Sequence, residues 1–355
     1  MNPPAVTVLM PAFNAEQYIA ESIWSVLSQT FGDFEIVVVN DGSTDGTRSV
    51  LSGIQDPRLR IIHNERNLGI VKSLNRGFSA AQGQYVARLD ADDYCAPHRL
   101  EVQKAFLDAN RSVLMVGSGG DALTSGKLEA LRVEPEVDPD VLRWLFHIVN
   151  PIGHSTMMFR RDAVLAMKEY LRGEFEYAED FDFSHRLLVL GSVAMMPEHL
   201  VVFRRLPEGL SRSSVERVTK KTTAILETLY EPLLGPKGPD AAAVISAYLM
   251  AGYPAVTVGE FARLGGALEL LVGAFLERNS LTAEQRTRVL RRTSEFWWQA
   301  VLTSARNGAP AAALQGFTSF RWRSEFKPKF VTCARAGAAG LLRGLPVRSL
   351  SVMRP

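Results

Sequence analysis

Gln84-Tyr85-Val86-Ala87-Arg88-Leu89-Asp90-Ala91-Asp92-Asp93 decides the fold. Its first five residues carry the pattern of a short buried strand, and three carboxylates close it. Open α/β sheets bind ligands in the crevice outside the carboxyl ends of their strands. Two carboxylates about 4 Å apart repel by roughly 4 kcal/mol at an effective dielectric near 20. A divalent cation removes that repulsion, and one held by one or two carboxylates completes its shell with substrate phosphates and water. The run therefore points to a metal–phosphate site. Taken alone, it also suits a solvated acidic loop ahead of Pro97.

The preceding residues supply the sheet. Val6-Thr7-Val8-Leu9-Met10 is an apolar run that stops at Pro11 and reads as a buried strand. Between Asn14 and Ser28, Tyr18, Ile19, Ile23, Val26 and Leu27 recur at helical spacing, with Asn14 as the expected cap. Glu35–Val39 is a second strand, ending in the polar turn Asn40-Asp41-Gly42-Ser43-Thr44-Asp45-Gly46. Leu59–His63 is a third strand, and Gly69–Ala81 a further helix, stopped by Gly83. This alternation implies right-handed βαβ units and a mainly parallel sheet. Pro11–Asn14, Asn40–Ser43 and Asp90–Asp93 then share one sheet edge. No Gly-x-Gly-x-x-Gly follows the first strand and no Gly-x-x-x-x-Gly-Lys-Ser/Thr occurs, so dinucleotide and P-loop fingerprints are excluded.

Val6 to Asn14, Val39 to Asp45, Asn67-Leu68-Gly69 and Leu89 to Asp93 together resemble the family 2 glycosyltransferases, inverting enzymes of the GT-A fold that use nucleotide sugars. The likeness spans about residues 5–210, with Asn150-Pro151-Ile152-Gly153-His154-Ser155-Thr156 resembling the acceptor-side segment and Glu179-Asp180 the acidic pair that supplies the base. It implies an α/β, Rossmann-like GT-A catalytic domain over 1–210, and the residues that follow, which lack strand alternation, read as a helical C-terminal domain with a basic tail over 211–355. It implies that Asp41 accepts a hydrogen bond from a uracil ring, and that Pro11, Ala12 and Asn14 line the nucleotide. Asp90 would face ribose and metal, Asp92 would bind Mg²⁺ or Mn²⁺, and Asp180, beside Glu179, would be the base. Arg66, Lys72 and Arg88 are the cations available to a diphosphate, and each also suits a side chain snorkelling at the surface. His154 falls on the acceptor side, or is a core or turn histidine.

Inversion needs a base on the face opposite the nucleotide and positive charge at the leaving diphosphate. Glu174 to Asp182 holds five carboxylates in nine residues, which also suits the N-terminus of the helix that follows through Leu190. One departure stands out: Leu206 occupies the position of a histidine found in many relatives, in Phe203-Arg204-Arg205-Leu206-Pro207-Glu208-Gly209-Leu210-Ser211, and Arg204 or Arg205 could provide charge instead. The expected activity is transfer of a sugar from a nucleoside diphosphate, UDP by resemblance, to a hydroxyl of a glycan or glycolipid. The alternatives are a non-catalytic nucleotide-sugar-binding protein and a sugar nucleotidyltransferase. The latter normally carries a Gly-rich basic loop after its first strand, and Pro11-Ala12-Phe13-Asn14 is not one.

Two isolated cysteines, Cys95 and Cys333, give neither metal spacing nor a disulfide framework, so a reducing, cytoplasmic setting is expected. No secretion signal is read at the start, and Ala241–Gly259, the longest uncharged segment, is interrupted by Gly252 and Pro254. Charge is divided unevenly: residues 1–210 carry a net −8 and residues 211–355 a net +10. Helices are expected at about 211–234, 241–250, 258–278 and 282–305, with Gly259, Gly265, Gly266 and Gly273 permitting close helix approach. Phe296, Trp297 and Trp298 read as core or interface residues. Residues 321–355 have a net charge of +7 with interleaved aromatics and leucines. That mixture suits an anionic membrane surface or a solvated closing helix, and nucleic acid is a poorer partner for a chain with an acidic catalytic half.

Overall fold

The computed structural model describes residues 3–130, 136–167, 169–206, 215–316 and Glu325. They form two compact units, one running to Phe146 and again from Asn150, the other made of His147–Val149 and the residues from Val215 onward.

In the first unit, β1 (Val6–Ala12), β2 (Phe34–Asn40) and β4 (Tyr85–Arg88) are almost entirely buried, which is why they read as near-continuous apolar runs. β1 pairs in parallel with both β2 and β4, and β2 with β3 (Leu59–His63). The sheet continues through β8 (Met158–Arg160), β6 (Val113–Thr124), β9 (Ser192–Arg204) and β5 (Tyr94–Cys95), in the order β3-β2-β1-β4-β8-β6-β9-β5. β7 (Lys127–Ala130) pairs with β6 off this path. The chain moves outward from β1 through β2 to β3, then returns to place β4 on the other flank of β1. That reversal makes a switch point at the carboxyl ends of β1 and β4, where such sheets open a ligand crevice. Ala12 lies opposite Asn40, and Leu9 opposite Arg88, so the three polar loops leave at one edge.

The helices α1 (Ile19–Leu27), α2 (Thr47–Ser52) and α3 (Ile70–Ala80) connect these strands. Asn14 does not cap α1, which starts five residues later behind Tyr18 without a side-chain cap. Instead Asn14 takes a left-handed φ of 49°, a conformation Asn tolerates better than most residues. Its Oδ1 accepts from the Thr44 amide at 2.9 Å and its own amide donates to Ser43 Oγ at 3.0 Å, tying the β1 and β2 loops together.

β8 runs antiparallel to β4 and follows the 3₁₀ turn His154–Thr156, which it sets beside the end of β4. α4 (Arg99–Ala109), α5 (Pro139–Leu145), α6 (Arg161–Leu165) and α7 (Glu179–Leu190) complete this unit. β6 and β9 pair in parallel, with extra β9 residues opposite Ser118–Gly120, and β9 ends at Arg204.

The second unit is helical: α8 (Val215–Leu234), α9 (Gly238–Ile245) running into a π-helical turn (Ser246–Met250), α10 (Val258–Arg278), α11 (Ala283–Arg306) and α12 (Pro310–Gly316). Thr257 with Glu260, and Thr282 with Gln285, form capping boxes that satisfy the first amides of α10 and α11. The His147 carbonyl accepts from the Tyr230 hydroxyl, and its ring meets Phe275 edge-on at 5.3 Å. Trp297 is fully buried, donates to the Gly316 carbonyl at 2.9 Å and stacks edge-on against Phe261 at 5.6 Å, and Trp298 is buried beside it, while Phe296 is half-buried. Of the four glycines of α10, Gly265 is buried on its packed face, and the other three do not act as expected. A Cβ at Gly266 or Gly273 would meet nothing within 4 Å, and one at Gly259 only the Thr257 hydroxyl at 3.9 Å. Packing on α10 comes from Phe261, Leu264, Leu268, Leu271, Val272 and Phe275 instead. Among the described residues, no helix is long and apolar enough to cross a membrane.

Candidate functional site

The β4 end is built on two buried arginines. Arg99, on the first turn of α4, donates from Nη2 to the Arg88 carbonyl at 2.8 Å and to the Met157 carbonyl at 3.2 Å. Its Nε is held by Gln103 at 3.0 Å, and Gln103 in turn donates to the Thr156 carbonyl at 2.8 Å. This i, i+4 pair clamps the end of β4, just before the acidic loop, to the backbone entering β8. Sequence reading missed it, although a charged residue and an amide four apart on the buried face of a helix was the available signal.

Arg88 is also fully buried, with Nη2 on Asp90 Oδ1 at 2.5 Å. It is therefore not the crevice cation expected for a diphosphate: β4 register points it beneath the acidic loop, not into the opening. Arg66 and Lys72 are exposed. Asp90 Oδ2 accepts from Ser155 Oγ at 2.9 Å. Burial pushes its carboxyl upward, but Arg88 and Ser155 outweigh burial and hold it below the ordinary range. Asp92 and Asp93 fare differently. Burial, then the charge of Asp90, pushes Asp92 up to about 6 and Asp93 up to about 8.

Arg204 flanks this loop. Its amide donates to Asp93 Oδ1 at 2.9 Å, its Nε to the Asp92 carbonyl at 3.1 Å and its Nη2 to Glu21 at 2.6 Å, with the guanidinium over the Tyr18 ring at 4.7 Å. Leu206, two residues on, is half-buried, and Pro207–Ser211 lies outside the described residues.

Asp41 is buried and heavily committed. Oδ1 accepts from Asn64 Nδ2 at 2.7 Å and the Leu68 amide at 2.9 Å, and Oδ2 from the Gly69 amide at 2.9 Å. It thus fixes the loop that enters α3, with one lone pair of Oδ2 left over. Gly42, at φ 65°, allows this: a Cβ there would fall 2.3 Å from the Arg66 carbonyl carbon. Pro11 and Ala12 are buried at the end of β1.

The α7 N-terminus carries the second set of carboxylates. Asp180 Oδ2 accepts from Asn150 Nδ2 at 2.9 Å and Oδ1 from the Phe181 amide at 2.8 Å. Burial pushes its carboxyl up to about 6. Glu179 is more deeply buried, accepts from the Tyr177 amide at 2.8 Å, and is pushed up to about 8 by burial and then by Asp180. Glu179 lies 3.9 Å from His154 Nδ1. Burial drives His154 down to about 3, so the two meet as neutral groups, not as an ion pair. Asp182 is less suited to act as a base, because its two oxygens pair with the guanidinium charges of Arg172 and Arg186. Tyr177, just ahead of Glu179, holds φ 80°, a strained conformation of the kind that clusters at working sites.

The sheet order and the switch-point crevice are those of the GT-A fold. The glycosyl transferase family 2 model matches residues 7–165. A Haemophilus influenzae relative, an uncharacterized glycosyltransferase, is 37% identical over 235 residues, covering 63% of this chain and 72% of that one. Escherichia coli WfgD, a UDP-Glc:alpha-D-GlcNAc-diphosphoundecaprenol beta-1,3-glucosyltransferase, is 35% identical over 113 residues, 32% of this chain and 45% of that one. Among solved structures, the mannosyltransferase PcManGT from Pyrobaculum calidifontis, in complex with GDP-Man and Mn²⁺, superposes with a TM-score of 0.51 at 19% identity, covering 86% of this chain and 88% of that one. The chain belongs to glycosyl transferase family 2.

The residues fit a divalent cation. Among the described residues no group of three or more His, Cys, Asp or Glu converges on one point. Asp90 and Asp92 form instead a two-carboxylate set, of the kind that substrate phosphates complete. Their charge is in excess: Arg88 answers Asp90, while Asp92 is left raised by its neighbours.

Proposed function

We propose that this chain is an inverting, metal-dependent glycosyltransferase that moves a sugar from UDP to a hydroxyl of a glycan or lipid-linked glycan. One observation carries the reading: a two-carboxylate set at the switch point and a separate half-buried carboxylate, Asp180, at a helix N-terminus. Asp92, with Asp90, holds Mg²⁺ or Mn²⁺, which when bound supplies positive charge to the leaving diphosphate. Arg66 and Lys72 add charge from the rim. Asp180 takes the proton of the acceptor hydroxyl as its oxygen bonds to the anomeric carbon. The bond from that carbon to the diphosphate breaks with its electron pair on the nucleotide, in one displacement that inverts configuration. Asn150 orients Asp180, and neutral Glu179 spares it a second adjacent charge. WfgD, which acts with UDP-Glc on a diphosphoundecaprenol acceptor, supports the donor and acceptor classes. The test is nucleoside diphosphate release from a panel of UDP, GDP and dTDP sugars with Mn²⁺. Release from none of them, despite tight nucleotide-sugar binding, would instead mark a sensor on this fold.

Asp41→Ala is expected to weaken UDP binding by about 1–3 kcal/mol, since a ring N–H loses a charged acceptor. Because three donors of the α3 entry also lose their acceptor, the nucleotide-free variant should melt at lower temperature. Calorimetry with UDP and a thermal melt separate the two effects. Parental UDP affinity in the variant removes Asp41 from base recognition and leaves it the loop role alone.

The basic tail, residues 321–355, lies almost wholly outside the described residues, and its membrane role rests on sequence. Full-length protein is expected to sediment with anionic liposomes at low salt and to leave them at high salt, each cation contributing about 1 kcal/mol. Deleting 321–355 should abolish sedimentation and leave donor hydrolysis intact. A full-length chain that ignores anionic liposomes at low salt makes the tail structural.

A further inference from the structure

The two halves of the proposed site approach each other through Ser155, which donates to Asp90, and its neighbour His154, 3.9 Å from Glu179, and Arg88 holds the same Asp90. The Arg88 side chain is 1% exposed, and only Nη2 has a protein acceptor among the described residues, on Asp90. Nε and Nη1 are buried without one. The groups within its electrostatic reach include Asp90, Asp92 and Asp93 on its own loop, Arg99, His154, Tyr170, and the pair Glu179 and Asp180. The Tyr170 hydroxyl is likewise buried without a partner, while its ring is wedged against Phe78 at 4.8 Å, Phe183 at 5.0 Å and Phe159 at 5.4 Å. The backbone of Arg88 cannot drift, since its amide donates to the Met157 carbonyl at 2.9 Å and Arg99 holds its carbonyl. Fold stability alone does not ask for a charge here, because apolar residues of similar volume often serve a buried position as well or better.

We infer that Arg88 is a positioning residue that couples the metal side to the base side, its Nη2 fixing Asp90 while its Nε–Nη1 edge, with the Tyr170 hydroxyl, orders the ground behind Glu179 and Asp180. The inference rests on the reading of Asp92 as metal ligand and Asp180 as base. A lysine would carry the same charge but as a single point, without a fork able to serve both directions.

The test uses the full chain. Parent protein is first assayed for nucleoside diphosphate release from UDP-glucose, UDP-GlcNAc and GDP-mannose with Mn²⁺, and the most active donor serves for every variant. Affinity is measured by calorimetry with the matching nucleoside diphosphate and Mn²⁺. Arg88→Met is expected to weaken that affinity about 10-fold and to lower kcat about 100-fold. Arg88→Lys should bring affinity back to within about threefold of the parent while kcat stays about tenfold down. Tyr170→Phe, which keeps its ring in place, should lower kcat about threefold or more at unchanged affinity. In the Asp180→Asn background, Arg88→Met should lower kcat by clearly less than its effect of about 100-fold in the parent, because the base-side share is already lost and only the Asp90 share remains. If Arg88→Met does not fold, Arg88→Lys and Tyr170→Phe decide. Parental kcat in both overturns the inference. Asp92→Asn and Asp180→Asn, run alongside, separate the failures: parental behaviour there, or no release from any donor, sinks the underlying assignment and this inference with it.

Discussion

Asp180→Asn is expected to slow transfer by about 10²–10⁴-fold while leaving donor affinity nearly unchanged. The amide keeps the shape of the carboxylate and an oxygen for the Phe181 amide, but it cannot take a proton from the acceptor. Its neighbours make the position suited to that task. Burial holds the carboxyl at about 6, so it is ionised at neutral pH yet more basic than an exposed aspartate. The sign follows: kcat should fall as pH drops through about 6, when the base becomes protonated, and this acid limb should vanish in the variant. Turnover measured from pH 5 to 8, with nucleotide calorimetry on both proteins, checks the pair of expectations. Parental turnover in Asp180→Asn would pass the role to Glu179, because Asp182 is locked between Arg172 and Arg186.

What could be read in the sequence depended on whether a residue's neighbours in the chain are also its neighbours in space. The strand ends were legible because apolar runs and the polar loops that close them are local signals: Leu59–His63 is β3 as read, and β2 differs by one residue at each end. Likewise Glu179 and Asp180 open α7 because acidic residues favour a helix N-terminus. Asn14 failed for the opposite reason. Its partners, Ser43 and Thr44, come from the next βα loop, and a capping pattern in the chain cannot show them. Arg88 failed similarly. A cation beside an acidic run reads as a crevice residue, but strand alternation turns it inward, where Asp90, two residues on, becomes its counter-ion. The glycines of α10 were read as contacts, although a stripe of small residues does not say which face is covered. His147–Val149, which belongs to the helical unit while its flanking residues belong to the sheet unit, carries no local mark at all.

Asp92→Ala is expected to abolish transfer, a loss of about 100-fold or more, equivalent to about 2.7 kcal/mol or more of transition-state stabilisation. It should also remove most of the metal dependence of nucleotide binding. Asp90 alone cannot replace the pair, because Arg88 and Ser155 each take one lone pair of its two oxygens and leave it fewer for the ion. Without a second carboxylate, the diphosphate would face Asp90 with less of the counter-charge that both anions need. A metal-free readout accompanies this one. Burial and Asp90 raise the Asp92 carboxyl from 3.8 to about 6, so in the folded chain its ionisation costs stability. The cost is absent below pH 3.8, grows as pH rises toward about 6 and is fully present above it. With chelator present, Asp92→Ala should therefore melt at higher temperature than the parent at pH 8, and the gap should narrow toward pH 4. Calorimetric titration of UDP with and without Mn²⁺, beside melting curves across that range, tests both arms. If the variant and the parent depend equally on Mn²⁺ for UDP binding, Asp92 does not hold the metal, and the two-carboxylate site must be sought elsewhere along the crevice.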